Sequence, residues 1–277
     1  MILLDGKKTS ETIKEKLKDK ISSLDTKLKL AVILVGGNPS SVIYVNMKKK
    51  RCLETGIDSE IIEMKENSSE NEIIEAIKKL NNDKEVTGIL VQLPLPKNIN
   101  TRKVLDSVSA EKDVDGLNSY HLMKILLGEE KIVPCTPKGI VRLLEEYDIT
   151  LEGKNVCVVG FSDVVGKPLA TMCINRGATV TVCHTRTKNL KEHTKAADIL
   201  MVATGVPKII TEDMVKDGAV VIDIGISKVD GKIVGDVDFE NVKDKCSYIT
   251  PVPGGVGPMT IVSLIENMLE LKNIHQN

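Results

Sequence analysis

Short unbroken apolar runs, alternating with helical patterns, constrain this chain more than any other feature. Leu30–Val35 reads LAVILV and Gly88–Val91 reads GILV. Between them lie a helix pattern over Pro39–Thr55 closed by Gly56, a strand pattern over Ile57–Met64, and a Ser-capped helical repeat over Ser69–Leu80. Strands apolar on both faces belong to parallel sheets covered by helices, because a sheet with one wet face would alternate polar and apolar residues. Parallel neighbours need crossovers, so this order specifies an α/β fold. The alternation starts afresh at Asn155, with strand Val156–Val159, helix Lys167–Asn175, strand Thr179–Cys183, a helix near Lys188–Ala196, and strands Ile199–Ala203, Ala219–Ile224 and Ser247–Thr250. The pattern predicts two α/β domains. The first covers 1–139 and is joined by a C-terminal helix within 260–277; the second, Rossmann-like, covers 140–259. A chain of 277 residues is long enough for two cores.

Aromatic residues are only 2% and Trp is absent, so Ile, Val, Leu and Met must fill those cores. A net charge of -1 gives no reason to expect a nucleic-acid or membrane-surface partner. No apolar run approaches the ~20 residues that span a bilayer, and the N-terminal apolar stretch is too short for a signal peptide. The six cysteines are dispersed without a CxxC pair and read as reduced thiols of a cytosolic protein. The four histidines (121, 184, 193 and 275) show no zinc spacing, and Asp113-Val114-Asp115-Gly116 lacks the further ligands of a calcium loop, so no metal is expected.

Ser41–Cys52, SVIYVNMKKKRC, follows the first strand and a Gly-Gly-Asn-Pro turn. On a helix, Tyr44 and Lys48 share one face, and helix starts after parallel strands face the crevice where α/β proteins bind ligands. Taken alone, the stretch reads better as a core tyrosine on a solvated lysine run. In the second domain, Gly160-Phe161-Ser162-Asp163-Val164-Val165-Gly166-Lys167-Pro168 joins a strand to a helix, where backbone N–H groups can meet a phosphate. It is no P-loop, since Pro168 stands where Ser or Thr would hold magnesium, and Ser162 replaces the second glycine of G-x-G-x-x-G. An ordinary tight turn fits the letters as well. The next strand ends Cys183-His184-Thr185-Arg186-Thr187-Lys188, with two fixed cations and no acid, which suits a 2′-phosphate better than a free ribose hydroxyl and so NADP over NAD. Turns at Thr204-Gly205 and Gly225-Ile226 end strands on the same edge. Cys135, in VPCTPKG, reads as a buried thiol, and Gly254-Gly255 presents no Cβ to block a close approach.

Tyr44-x-x-x-Lys48, VQLPLP with Gln92, KDVDG with Asp115, PCTP, the Gly160–Pro168 loop and TPVPGGVGPMT occur in that order. Together they resemble the bifunctional methylenetetrahydrofolate dehydrogenase/methenyltetrahydrofolate cyclohydrolases over nearly the whole chain. The resemblance implies two α/β domains with a cleft between them, folate held mainly by the first, NADP by the second, and a cytoplasmic homodimer. It makes Lys48 the proton-transfer residue, Gln92 its hydrogen-bonding partner, Tyr44 a platform for the folate ring and Asp115 the pterin ligand, with Pro253, Gly254 and Gly255 against the substrate. Gly160, Phe161, Ser162, Gly166, Thr185, Arg186, Thr204, Gly205 and Ile226 would hold the dinucleotide. A lysine acts as a base only when unprotonated, a form that desolvation favours. Many members carry Arg where this chain has Phe161, which leaves NAD open as the cofactor and gives Arg186 the task of meeting the 2′-phosphate.

Overall fold

The computed structural model describes residues 1–276, and the side chains of His275 and Gln276 lie outside what is described. Two compact units emerge. One comprises Thr12–Cys135 with Ser263 onward, the other Met1–Glu11 with Thr136–Val262. The first eleven residues join the second unit because Ile2–Leu3 pairs in parallel with Tyr248–Ile249.

The first unit is built on a three-stranded parallel sheet in the order Asp58–Met64, Lys29–Val35, Gly88–Val91. Its central strand is buried from Leu30 to Val35 except for a partly exposed Lys29, as an apolar run between two neighbours requires. Helix Pro39–Glu54 starts under an Asn38 cap whose side chain accepts from the Ser40 and Ser41 amides. Helix Glu70–Asn82 starts with a reciprocal Ser69–Glu72 capping box and buries Ile73, Ile77 and Leu80. Helix Val256–Gln276 begins before the C-terminal helix expected within 260–277. Its buried Asn267 donates 2.9 Å bonds to the carbonyls of Val114 and Val133, and its Met268 packs where a Cβ on Gly88 would lie 2.6 Å from the sulfur.

The second unit carries a six-stranded parallel sheet in the order Ile2–Leu3, Tyr248–Ile249, Val220–Asp223, Ile199–Val202, Asn155–Val159, Thr179–Cys183. From Asn155–Val159 the chain goes first to the neighbour on one side and then to the neighbour on the other. That reversal opens a crevice at the carboxyl ends of the strands. An antiparallel hairpin, Ser227–Val229 with Lys232–Val234, turns on Asp230 and Gly231, both at positive φ.

Candidate functional site

Helix Pro39–Glu54 buries Ser41, Val45, Lys48 and Cys52, residues at the 4-3-4 spacing of one face. Lys48 therefore stands on the buried stripe, at 9% exposure, while Lys50 beside it is exposed. Its Nζ donates to Gln92 Oε1 at 3.1 Å. The other end of the Gln92 amide donates to the Leu93 carbonyl at 2.7 Å, which fixes the oxygen toward the lysine. Gln92 follows directly on Gly88–Val91, and its own N–H bonds to the Ile33 carbonyl. Burial pushes the Cys52 thiol up to about 12 against the opposing charge of Lys48. Tyr44 is half-buried one turn earlier, and burial raises its hydroxyl.

Asp113 forms an isolated parallel bridge with Ile89, so the chain from Asp113 to Asp115 runs alongside the strand that delivers Gln92. Asp113 is buried and does not face solvent. Its Oδ1 accepts the amides of Asp115 at 3.2 Å and Gly116 at 3.0 Å, and its Oδ2 accepts that of Asn118 at 2.7 Å. Burial, reinforced by the nearby Asp115 charge, raises it to about 7 despite those three donors. Gly116, at φ +67, lies where a Cβ would meet the Val133 carbonyl carbon at 2.4 Å. Asp115 is thereby left partly exposed at the end of a loop that its neighbours hold still. Sequence reasoning singled out Asp115 and missed Asp113, whose partners are backbone amides that leave no trace in spacing.

Cys135 is a buried thiol that donates to the Val114 carbonyl at 3.3 Å, and all six cysteines are buried. Pro253, Gly254 and Gly255 belong to the other unit. There the two glycines differ. A Cβ on Gly255 would lie 2.7 Å from both the Pro251 carbonyl oxygen and Thr250 Cβ, so the chain itself fills that space. Gly254, at φ +110, would meet nothing nearer than Pro251 Cγ at 3.9 Å.

In the second unit a cavity of about 760 Å³ lies at the strand ends, lined by Gly160, Phe161, Ser162, Thr185, Arg186 and Thr204 among others. Gly160 is part of its wall. Its φ is +126, and a Cβ there would sit 2.2 Å from the Ala203 carbonyl oxygen, while a Cβ on Gly166 would sit 2.1 Å from that of Gly160. No other residue type lets strand, turn and helix come this close. Ser162 Oγ accepts the amides of Val165 at 3.1 Å and Gly166 at 3.4 Å, ordering the start of helix Gly166–Asn175. Phe161 is half-exposed with its ring 6.0 Å from that of His184, and Lys167 Nζ stands 4.7 Å above it while pairing with Asp163. The Arg186 amide donates to His184 Nδ1 at 3.1 Å. Gly166, Gly205 and Ile226 do not line the cavity. Among the described residues no group of His, Cys, Asp or Glu could hold a metal ion.

Similarity to known proteins agrees with both halves of this picture. The catalytic-domain model of tetrahydrofolate dehydrogenase/cyclohydrolase matches residues 4–115, and the corresponding NAD(P)-binding-domain model matches 134–276. The bifunctional protein FolD of Nautilia profundicola is 52% identical over 98% of this chain and 96% of its own length. The crystal structure of the bifunctional FolD methylenetetrahydrofolate dehydrogenase/cyclohydrolase from Campylobacter jejuni superposes with a TM-score of 0.96 at 50% identity, covering 99% of each chain. That of the Trypanosoma brucei methylenetetrahydrofolate dehydrogenase-cyclohydrolase, complexed with NADP and an inhibitor, gives 0.95 at 32% identity over 100% of this chain and 99% of its own. The chain belongs to the tetrahydrofolate dehydrogenase/cyclohydrolase family.

Proposed function

We infer that this protein oxidises 5,10-methylenetetrahydrofolate to 5,10-methenyltetrahydrofolate with NADP and hydrolyses the product to 10-formyltetrahydrofolate. The observation that carries this is the buried Lys48 amine bonded to the neutral oxygen of Gln92. An amine held in place by a neutral acceptor stands where it can exchange a proton with a reacting group. Gln92 supplies that acceptor without a charge, so it aims the amine.

The residues of the second unit fit a dinucleotide, because the cavity at the strand ends is lined by the Gly160–Ser162 turn that leads into a helix and by Arg186. When bound, NADP supplies the acceptor for the hydride that leaves the methylene carbon. Gly160 and Ser162, in the cavity wall, would seat its phosphates, with Gly166 opening the helix behind them, and Arg186 would meet the 2′-phosphate. Tyr44 lies against the folate ring, and Asp115 accepts hydrogen bonds from the N–H groups of the pterin. In the hydrolytic step Lys48 takes the proton of the water that adds to the methenyl carbon and returns one to the ring nitrogen as it leaves. Open space beside Gly254 lets the substrate lie against backbone.

The protein acts as a cytoplasmic homodimer on tetrahydrofolate derivatives, with neither nucleic acid nor membrane as a partner. A net charge of -1 gives no general attraction to a polyanion. Among the described residues no helix is long and apolar enough to cross a membrane. The test is a spectrophotometric assay of methylenetetrahydrofolate with NADP and with NAD, followed by decay of the methenyl chromophore. Reduction of neither nucleotide would end this reading.

A further inference from the structure

The turn that carries Thr204 into the dinucleotide cavity rests on a carboxylate that the reaction does not call for. Asp236 is fully buried, and its Oδ2 accepts three donors from that turn: the Thr204 amide at 2.6 Å, the Thr204 hydroxyl at 2.8 Å and the Gly205 amide at 2.9 Å. Its Oδ1 is buried without a hydrogen-bond partner among the described residues. Core packing does not explain such a group, since a buried acceptor left unmatched is destabilising.

Asp236 is itself held by a second buried carboxylate. Asp223, at the end of strand Val220–Asp223, accepts the Asp236 amide at 2.9 Å and the Gly225 amide at 3.1 Å on Oδ1, and the Val237 amide at 2.9 Å on Oδ2. Burial raises Asp223 to about 6, and the nearby Asp236 charge adds to the effect. The flanking glycines leave just the room these groups need: a Cβ on Gly225 would lie 2.0 Å from Asp236 Oδ1, and one on Gly235 would lie 1.9 Å from Asp223 Oδ2. The sheet thus fixes Asp223, Asp223 fixes the segment at 236–237, and Asp236 fixes the turn at 204–205. Thr204 spends its amide and hydroxyl on this carboxylate, and its placement in the cavity wall is set by it.

We propose that Asp236, seated by Asp223, is a positioning residue that sets the dinucleotide affinity of this protein by holding the Thr204–Gly205 turn in the cavity wall. The inference rests on the assignment of that cavity to NADP. It makes the acceptor oxygen on the turn the working part: an amide at 236 keeps one oxygen for the three donors, whereas a methyl keeps none.

The experiment measures NADP binding by titration, and KM for NADP and for methylenetetrahydrofolate, in the full-length protein and in Asp236→Ala and Asp236→Asn. Asp236→Ala is expected to weaken NADP binding and raise its KM about tenfold or more, the loss of one or two charge-assisted hydrogen bonds. The folate KM is expected to move less than about twofold, below the scale of a single net hydrogen bond. Asp236→Asn is expected to recover most of the NADP affinity. Equal losses in both KM values, or an Asn variant as weak as the Ala variant, would reduce Asp236 to a general structural part. Unchanged NADP binding in Asp236→Ala overturns the inference alone, whereas failure of the unsubstituted protein to bind NADP overturns the cofactor assignment and this inference with it.

Discussion

The two candidate sites solve opposite problems with similar materials. In the first unit the working parts are side chains: an amine on the buried stripe of Pro39–Glu54 meets an amide at the end of Gly88–Val91 at 3.1 Å. In the second unit the cavity is shaped by backbone, with Gly160 pressed against Ala203 and the Thr204 turn hung from Asp236. The proposed proton transfer asks for a titratable group at a stated place, which the chain would provide as a residue type. The proposed phosphate binding asks for N–H groups at a stated place, which it would provide through conformation. Buried carboxylates then appear behind both sites, Asp113 under the Asp115 loop and Asp236 with Asp223 under the Thr204 turn, each with backbone amides among its donors.

If the first site works through one side chain, removing that side chain should cost most. Lys48→Met keeps the length and apolar stem of the residue and deletes the amine. Cyclohydrolase activity is expected to fall about 10²–10⁴-fold, the range for losing a general acid–base group. Full hydrolase activity in a folded Lys48→Met protein would remove the amine from the chemistry, and with it the contrast between the sites.

The second site should break through its backbone instead. Gly160→Ala places a methyl 2.2 Å from the Ala203 carbonyl oxygen, in a backbone conformation at φ +126 that a side chain rarely adopts. Strain of about 1–3 kcal/mol is expected. If the turn shifts to relieve it, KM for the dinucleotide should rise about 5- to 150-fold. A variant with native dinucleotide KM would show that the cavity tolerates a displaced turn. A smaller effect is expected from Arg186→Ala, which removes a side chain and leaves the backbone alone. NADP affinity should fall about tenfold with NAD affinity unchanged, the size of one charge-assisted contact at a solvent-facing edge. Equal loss for both nucleotides would place Arg186 away from the 2′-phosphate.

How much of this was readable in advance follows the same division. The apolar strands and the strand-to-helix glycine turn at Gly160 were legible from residue type at a local spacing, whereas Lys48, Gln92 and Asp115 stood out only through the ordered motifs that resemble the family's. Lys48 looked like part of a solvated run, and only its 4-3-4 place behind Ser41 and Val45 separates it from Lys50. Asp113 and Asp236 were not legible as functional residues, since an acid that accepts backbone amides looks the same in sequence as an acid in a wet turn. The pairing of Ile2–Leu3 with Tyr248–Ile249 joins the two ends of the chain and has no local signature. The hairpin at 227–234 did carry one: Asp230-Gly231 between short apolar-alternating runs is a strong turn signal, but strands of three residues are too short for a period to show.

The weakest expected effect tests whether the carboxylates behind the sites carry a cost of their own. Asp113 holds its proton up to about 7 in the folded protein because burial, then Asp115, disfavours the charged form, whereas an unfolded chain releases it near 4. Between those values the native state binds more protons than the unfolded one, so this group stabilises the fold below about pH 4 and loses that contribution as pH rises toward 7. Asp223, raised to about 6, acts in the same direction over a narrower window. In Asp113→Asn the group no longer titrates, and the three amides lose an acceptor oxygen at every pH. The variant should therefore melt below the unsubstituted protein throughout, with the gap in Tm shrinking between pH 4 and 7 by about 2–4 °C for each kcal/mol involved. A gap that stays constant would mean that Asp113 titrates alike in the folded and unfolded chains, with its three amide donors offsetting its burial. A gap that widens with pH would mean that the folded protein prefers the carboxylate, and the loop that presents Asp115 would then be tightest at neutral pH.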